Sequence, residues 1–156
     1  MTVQNYFRNH PKAIGLLKEL GGVIPQLPNE TRWTSQRACY DTFLRNLPAY
    51  FQISNQIDML VNVCNLIRNI GLKNEAENLL AILNKITTVL NVVQSDSTDL
   101  GTAVVHWLQL TEDESLPVHV RDSLKKRFEG ATTFFHLIAY ELTKADGDPN
   151  ISGKTE

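Results

Sequence analysis

Cysteine is scarce in this 156-residue chain: Cys39 and Cys64 are the only two. They do not form a Cys-x-x-Cys pair and neither is followed three residues later by histidine, which excludes a disulfide framework and a zinc knuckle and implies a reducing compartment. An excess of positive charge is also lacking: 15 Lys and Arg face 17 Asp and Glu, a net charge of −2. A strongly basic nucleic-acid binder is thereby excluded, so any DNA contact has to come from a local patch or from stacking. No apolar run approaches the roughly eighteen residues of a membrane span. The first residues lack the basic-then-apolar order of a signal peptide. A soluble protein of the nucleus or cytoplasm, neither secreted nor membrane-bound, is the expectation.

Catalytic signatures are missing as well. The four histidines, His10, His106, His119 and His136, are far apart and form no His-x-x-x-His or His-Glu-x-x-His pair. There is no glycine-rich phosphate loop, nucleophile elbow or dinucleotide fingerprint. Phosphoryl transfer by two metals needs carboxylates gathered from different elements. The acids here (Asp41, Asp58, Asp96, Asp99, Asp113, Asp122, Glu129 and Glu141 among them) are scattered over solvated faces and capping turns. No catalytic residue, metal ligand or cofactor site is predicted.

Apolar residues make up 42% of the chain, enough for a folded domain, and they recur at helical spacing. Pro11 suits the first position of a helix with Ala13, Ile14, Leu16, Leu17 and Leu20 on one side, stopped by Gly21-Gly22. A helix from Trp33 to about Asn46 follows, ended or bent at Leu47-Pro48. Another is predicted from Ala49 to Ile70, with Phe51, Ile57, Leu60, Val61, Cys64 and Ile67 inward and Gly71 as its break. The clearest stripe is Ala76, Leu79, Leu80, Leu83, Ile86, Leu90 and Val93. Ser95–Asp99 is a cap-rich turn before Leu100, Ala103, Val104, Trp107 and Leu108, and Glu112–Ser115 reads as an acidic linker. Pro117 opens a last region carrying Val118, Val120, Leu124 and Phe128, then Phe134, Leu137, Ile138 and Leu142, as one bent helix or two. The expected fold is all-α, a multi-helix bundle over residues 1–144 with no substantial sheet, followed by a disordered tail at 145–156.

One stretch stands apart, Leu27-Pro28-Asn29-Glu30-Thr31-Arg32-Trp33-Thr34-Ser35. Pro25 and Pro28 hold the approach extended, and Thr31 or Thr34 can cap the helix that begins at Trp33. An Arg and a Trp are thus delivered side by side at a helix start beside a stiff loop. Such a ring can stack on a nucleic-acid base, or it can anchor its own fold. Arg32, Arg37 and Arg45 are candidate phosphate contacts. Arg121, Lys125, Lys126 and Arg127 form the densest basic cluster, diluted by Asp122 and Glu129 and read chiefly as a solvated helix face.

The run from Val3-Gln4-Asn5-Tyr6-Phe7 through Leu17-Lys18-Glu19 to Thr31-Arg32-Trp33-Thr34-Ser35 resembles hAT-superfamily DNA transposases and host proteins descended from them. In that family a helix-rich insertion interrupts a ribonuclease-H-like catalytic domain and carries a Thr-Arg-Trp-Asn-Ser-like motif. Thr34 here replaces the Asn. Gln94-Ser95-Asp96, His106–Leu110 and Phe135–Tyr140 fit less specifically. The resemblance implies that the catalytic Asp, Asp and Glu, and the family's Cys-x-x-His element, lie outside this chain. The chain would begin after that element and end before the catalytic Glu. Mg or Mn would then be needed only by a complete parent enzyme.

Two functions follow as expectations. In the first, a non-catalytic fragment of a hAT-like transposase contributes Trp33 to stack on a flipped base, with Arg32, Thr34 and Ser35 around it and only weak binding to DNA. In the second, a domesticated remnant of that domain works as a helical module that binds a protein partner or itself.

Overall fold

Eight helices and no strand occupy the described residues, 2–29 and 33–145, of the computed structural model. They are α1 (Thr2–Asn9), α2 (Pro11–Glu19), α3 (Trp33–Ser54), α4 (Val61–Ile67), α5 (Ile70–Val93), α6 (Leu100–Glu112), α7 (Val118–Ala131) and α8 (Phe134–Ala145). The fold is all-α, as the periodicity requires. The chain divides into two compact units, Met1–Asn84 and Lys85–Glu156, and the division falls within α5.

In the first unit α1 packs on α2 and α4, and α3 packs on the same two helices. Its core holds Val3, Phe7, Ala13, Leu17, Phe43, Tyr50, Ile53, Met59, Val63, Ile67 and Ala76. The Phe7 and Tyr50 rings stack with centroids 4.1 Å apart, so the first and third helices are locked by aromatic contact. Helix α2 starts and stops by local chemistry. Pro11 sits in its first turn, and His10 caps it by accepting from the Ala13 N–H through Nδ1. At the other end Gly21 adopts φ 73°. Its N–H donates to the Lys18 carbonyl and that of Gly22 to the Leu17 carbonyl, the paired closure that a left-handed residue permits.

In the second unit α6 packs on α7 and α8. Asp99 caps α6, accepting from the Thr102 N–H at 2.9 Å and from its hydroxyl at 2.6 Å. The hydrogen bonds from Thr102 hold the Asp99 carboxyl below its usual range. Val104, Val105, Leu110, Leu116 and Leu124 are buried here. α6 and α8 approach closely at Gly101: a Cβ there would collide with Thr143 Oγ1 and lie 2.6 Å from the Ala139 carbonyl oxygen.

Several boundaries differ from those predicted. Helix α3 does not end at Leu47-Pro48 but runs through an exposed Pro48 to Ser54. An interior proline costs about 3 kcal/mol; burying Tyr50 and Ile53, each worth roughly 1.5–3 kcal/mol, offsets it. Ser54 and Asn55 then close the helix by donating to the Phe51 carbonyl. The helix predicted from Ala49 to Ile70 is broken at residues 55–60, and Phe51, Leu60 and Val61 face water while Met59 and Val63 are buried. Gly71 breaks nothing; it lies in the first turn of α5, where the Asn69 side chain accepts from the Leu72 N–H. Gly130 lies likewise inside α7, and two separate helices follow Pro117. Thr34 is inside α3 rather than its cap, and Thr31 lies outside the described residues. So does the expected tail beyond Ala145.

Candidate functional site

The approach to Trp33 is held by α3 itself. Three polar side chains on that helix grip three backbone positions of the incoming segment. Asn46 binds Val23, with Nδ2 donating to its carbonyl at 2.8 Å and Oδ1 accepting from its N–H at 2.9 Å. Thr42 Oγ1 accepts from the Gln26 N–H at 3.1 Å. Ser35 Oγ accepts from the Asn29 N–H at 2.9 Å and donates to its carbonyl at 3.2 Å. Residues 23–29 therefore form a strap along α3, with Pro25 buried beneath it. A segment without helix or sheet of its own thus has its backbone groups satisfied by side chains.

Trp33 is the first residue of α3 and is half-buried; Thr34 is exposed. Ser35 is committed to the strap. The Arg32 position lies outside the described residues. One turn on, Arg37 is exposed and its Nε donates to Asn84 Oδ1 at 2.5 Å. Arg45 lies 3.8 Å from Asp41, both partly in water.

Asp113, in the stretch read as an acidic linker, is the C-cap of α6. Its carboxyl is held down at about 2 by hydrogen bonds first from Lys85 (Nζ to Oδ2, 2.8 Å) and then from Ser115. Among the described residues no group of three or more His, Cys, Asp or Glu is placed to hold a metal ion. None of the described helices is long and apolar enough to cross a membrane.

Phe134, Leu137, Ile138 and Leu142 recur at helical spacing. In α8 these residues are exposed, as is Phe135: Phe134 and Phe135 by 72% and 73%, Leu142 by 60%. The side that meets α6 carries Ala139 and Thr143 against Gly101. At 100° per residue, Phe134, Leu137 and Ile138 lie on the opposite side, with Phe135 and Leu142 on the flank next to Ala139. His136 is half-buried, as predicted, and completes the helix start. Its Nδ1 accepts from the Thr133 N–H at 3.2 Å and pairs with the Thr133 hydroxyl at 2.7 Å, the reciprocal role that Glu plays in a capping box.

Two clefts flank this helix. One, of about 400 Å³, lies between Leu100–Thr102 and Ala139–Thr143 and includes Leu142. The other, of about 740 Å³, is walled by Val93, Leu100, Val104, Trp107, Phe128 and Ala131. Trp107, expected as a core anchor, is half-buried at that wall, and its buried Nε1 has no hydrogen-bond partner among the described residues. Of the basic cluster, Arg127 reaches this cleft, and Lys125 and Lys126 are exposed. No hint of the outward stripe existed in the spacing alone. The small pair Gly101 and Ala139, far apart in the chain, was the signal that α8 would pack by its small side. No protein-family model, curated protein or solved structure matches this chain.

Proposed function

We propose that this chain is a non-catalytic helical interaction module, descended from the helical insertion of a hAT-type transposase, that docks another protein surface on the apolar side of α8. One observation carries the reading: α8 turns its small residues to α6 and its aromatic and aliphatic residues to water. Exposed apolar surface costs about 25 cal/mol per Å² relative to burial, so a face of this kind marks an interaction site. The resemblance around Thr31–Ser35 supplies the ancestry, and it implies that the catalytic carboxylates belong to segments other than these.

The double variant Phe134→Gln/Phe135→Gln tests it at dilutions where the thermal midpoint is independent of concentration. Helicity should be retained, the midpoint should change by no more than surface substitutions allow, about 0.5 kcal/mol, and binding of an apolar dye should fall. A loss of several kcal/mol, the signature of a core residue, would show that the face serves the chain's own fold and would sink the reading.

A second reading rests on Trp33. Trp33 is half-buried at the first position of α3, and an aromatic ring at a helix start is of the kind that stacks on an unpaired base. Binding to hairpin, flapped and fully paired DNA, with Trp33→Ala alongside, decides it. Tighter binding to unpaired DNA that the substitution abolishes without loss of helicity supports a base contact. Binding to no form, or binding the substitution leaves unchanged, makes Trp33 a structural anchor.

A further inference from the structure

We infer that the first unit binds a medium-chain monocarboxylate, with its acyl chain in a groove between α3 and the α4–α5 junction and its carboxylate on Arg68. The site uses none of the residues of the α8 face.

The groove follows from the continuation of α3 past Pro48. Leu44, Leu47, Pro48 and Phe51 recur at i, i+3, i+4 and i+7, so they form one ridge of that helix. Ile67 at the end of α4 and Ile70 at the start of α5 supply the other wall, and the groove measures about 410 Å³. Ile67 is buried, whereas Phe51 and Ile70 are 49% and 74% exposed. A mostly apolar recess of this size is typical of small-molecule sites.

The ridge selects the body of the ligand. It carries no polar side chain, and Asn69 beside it already accepts from the Leu72 N–H at 3.1 Å. Nothing along α3 here replaces the hydrogen bonds that a polar ligand would lose with its water, so hydrocarbon fits and polar groups do not. Seven residues at 1.5 Å each make the ridge about 10 Å long, roughly the reach of an extended eight-carbon chain.

Charge selects the head. Arg68 and Lys73 are the charged residues on the walls. Lys73 is matched by Glu77 at 3.3 Å, and Asp41, the acid of α3, is matched by Arg45. Among the described residues no carboxylate pairs with Arg68; its Nη2 donates to the neutral Asn55 Oδ1 at 2.9 Å. One cation is left over, which a single negative charge balances and a doubly charged phosphate would exceed. With five N–H donors the guanidinium can keep Asn55 and still grip a carboxylate. It lies 5.9 Å from the centre of the Phe51 ring, at one end of the ridge. A chain whose head sits there runs along α3 towards Leu44.

Calorimetric titration of the full chain with decanoate is the test, and one saturable site is expected. Butyrate has the head without the chain, and decyltrimethylammonium has the chain with the opposite charge; both should bind at least about tenfold more weakly. Affinity should rise by up to about fourfold per methylene from hexanoate to octanoate and flatten beyond decanoate, where the ridge ends. Arg68→Gln should weaken decanoate about tenfold and Arg68→Lys less, since lysine keeps the charge without the fork. Ile70→Glu, at an exposed position, sets an anion in the groove and should abolish binding with helicity retained. Decanoate that does not saturate a site overturns the proposal, and so does equal binding of the ammonium; both comparisons use the unaltered chain. Binding that is unmoved by Arg68→Gln and Ile70→Glu but lost in Phe134→Gln/Phe135→Gln overturns the assignment to this groove.

Discussion

The Asn46 carboxamide closes on Val23 from both sides, donating to its carbonyl at 2.8 Å and accepting from its N–H at 2.9 Å. It does for residue 23 what a neighbouring strand would do in a sheet. Asn46 is itself buried, and its Nδ2 also reaches the Tyr50 hydroxyl at 3.2 Å. Position, burial and partner count together make it the anchor of the strap that leads to Trp33.

Asn46→Ala removes both bonds and leaves the Val23 N–H and carbonyl without their partner. At about 1–3 kcal/mol for each buried group left unsatisfied, the expected loss is roughly 2–4 kcal/mol. Urea unfolding measures it. A cost below about 0.5 kcal/mol would mean that water replaces the clamp freely and that the strap is not held by this residue.

Alkali should weaken the first unit through Tyr50. Burial pushes its hydroxyl up to about 12, against a partial lowering by the Asn46 bond. The folded form therefore keeps a proton that the unfolded chain gives up near 10. Stability is fully present below pH 10, falls as the pH rises towards 12, and levels beyond it; the loss attributable to Tyr50 is about 2–3 kcal/mol. Tyr50→Phe should flatten the slope of urea midpoint against pH in that window. An unchanged slope would assign alkaline loss to other groups.

Two glycines in helices should respond with opposite signs. Gly101→Ala places a methyl against Thr143 Oγ1 and the Ala139 carbonyl. It should force α8 from α6 and cost about 1–3 kcal/mol. Gly130, in α7, has nothing within 4 Å of the added carbon, so Gly130→Ala should stabilise by about 0.5–1 kcal/mol through helix propensity. Thermal midpoints of both variants check the pair. Two changes of the same sign would contradict the packing described for α6 and α8.

The two thiols should separate kinetically. Cys39 is 2% exposed, and burial pushes its thiol up. Its Sγ also donates to Gln4 Oε1 at 2.8 Å, while Gln4 Nε2 returns a bond to the Cys39 carbonyl at 2.7 Å. Since the thiolate is the reactive form, Cys39 should be alkylated only at the rate of opening of the unit. The half-buried Cys64 should react first. Mass spectrometry of partly labelled protein resolves the order, and faster reaction at Cys39 would contradict the burial described.

Some local chemistry was legible in the chain itself: Pro11 and Gly21-Gly22 mark the start and stop of α2, and the cap-rich turn ending at Asp99 marks the start of α6. The long stripe from Ala76 to Val93 names α5, although Leu79 on it is exposed. Helical content, and with it the all-α class, needed nothing beyond spacing, because a period of three to four residues is a property of one helix. The prolines and cap-forming residues before Trp33 predict a helix start there, and Trp33 is the first residue of α3.

What only the tertiary structure decided was which side of each helix has a partner. Pro48 reads as a break until Tyr50 and Ile53 are buried against Phe7 and its neighbours, and their burial offsets the lost bond. That Ser35 bonds Asn29 across the strap is visible only in the structure. The stripe on α8 reads as a helix, and only the structure shows that Gly101 meets Ala139 and Thr143 while Phe134 and Phe135 are left in water. In each case the outcome depends on a residue distant in the chain, and hydrophobic periodicity identifies a face without saying what will cover it.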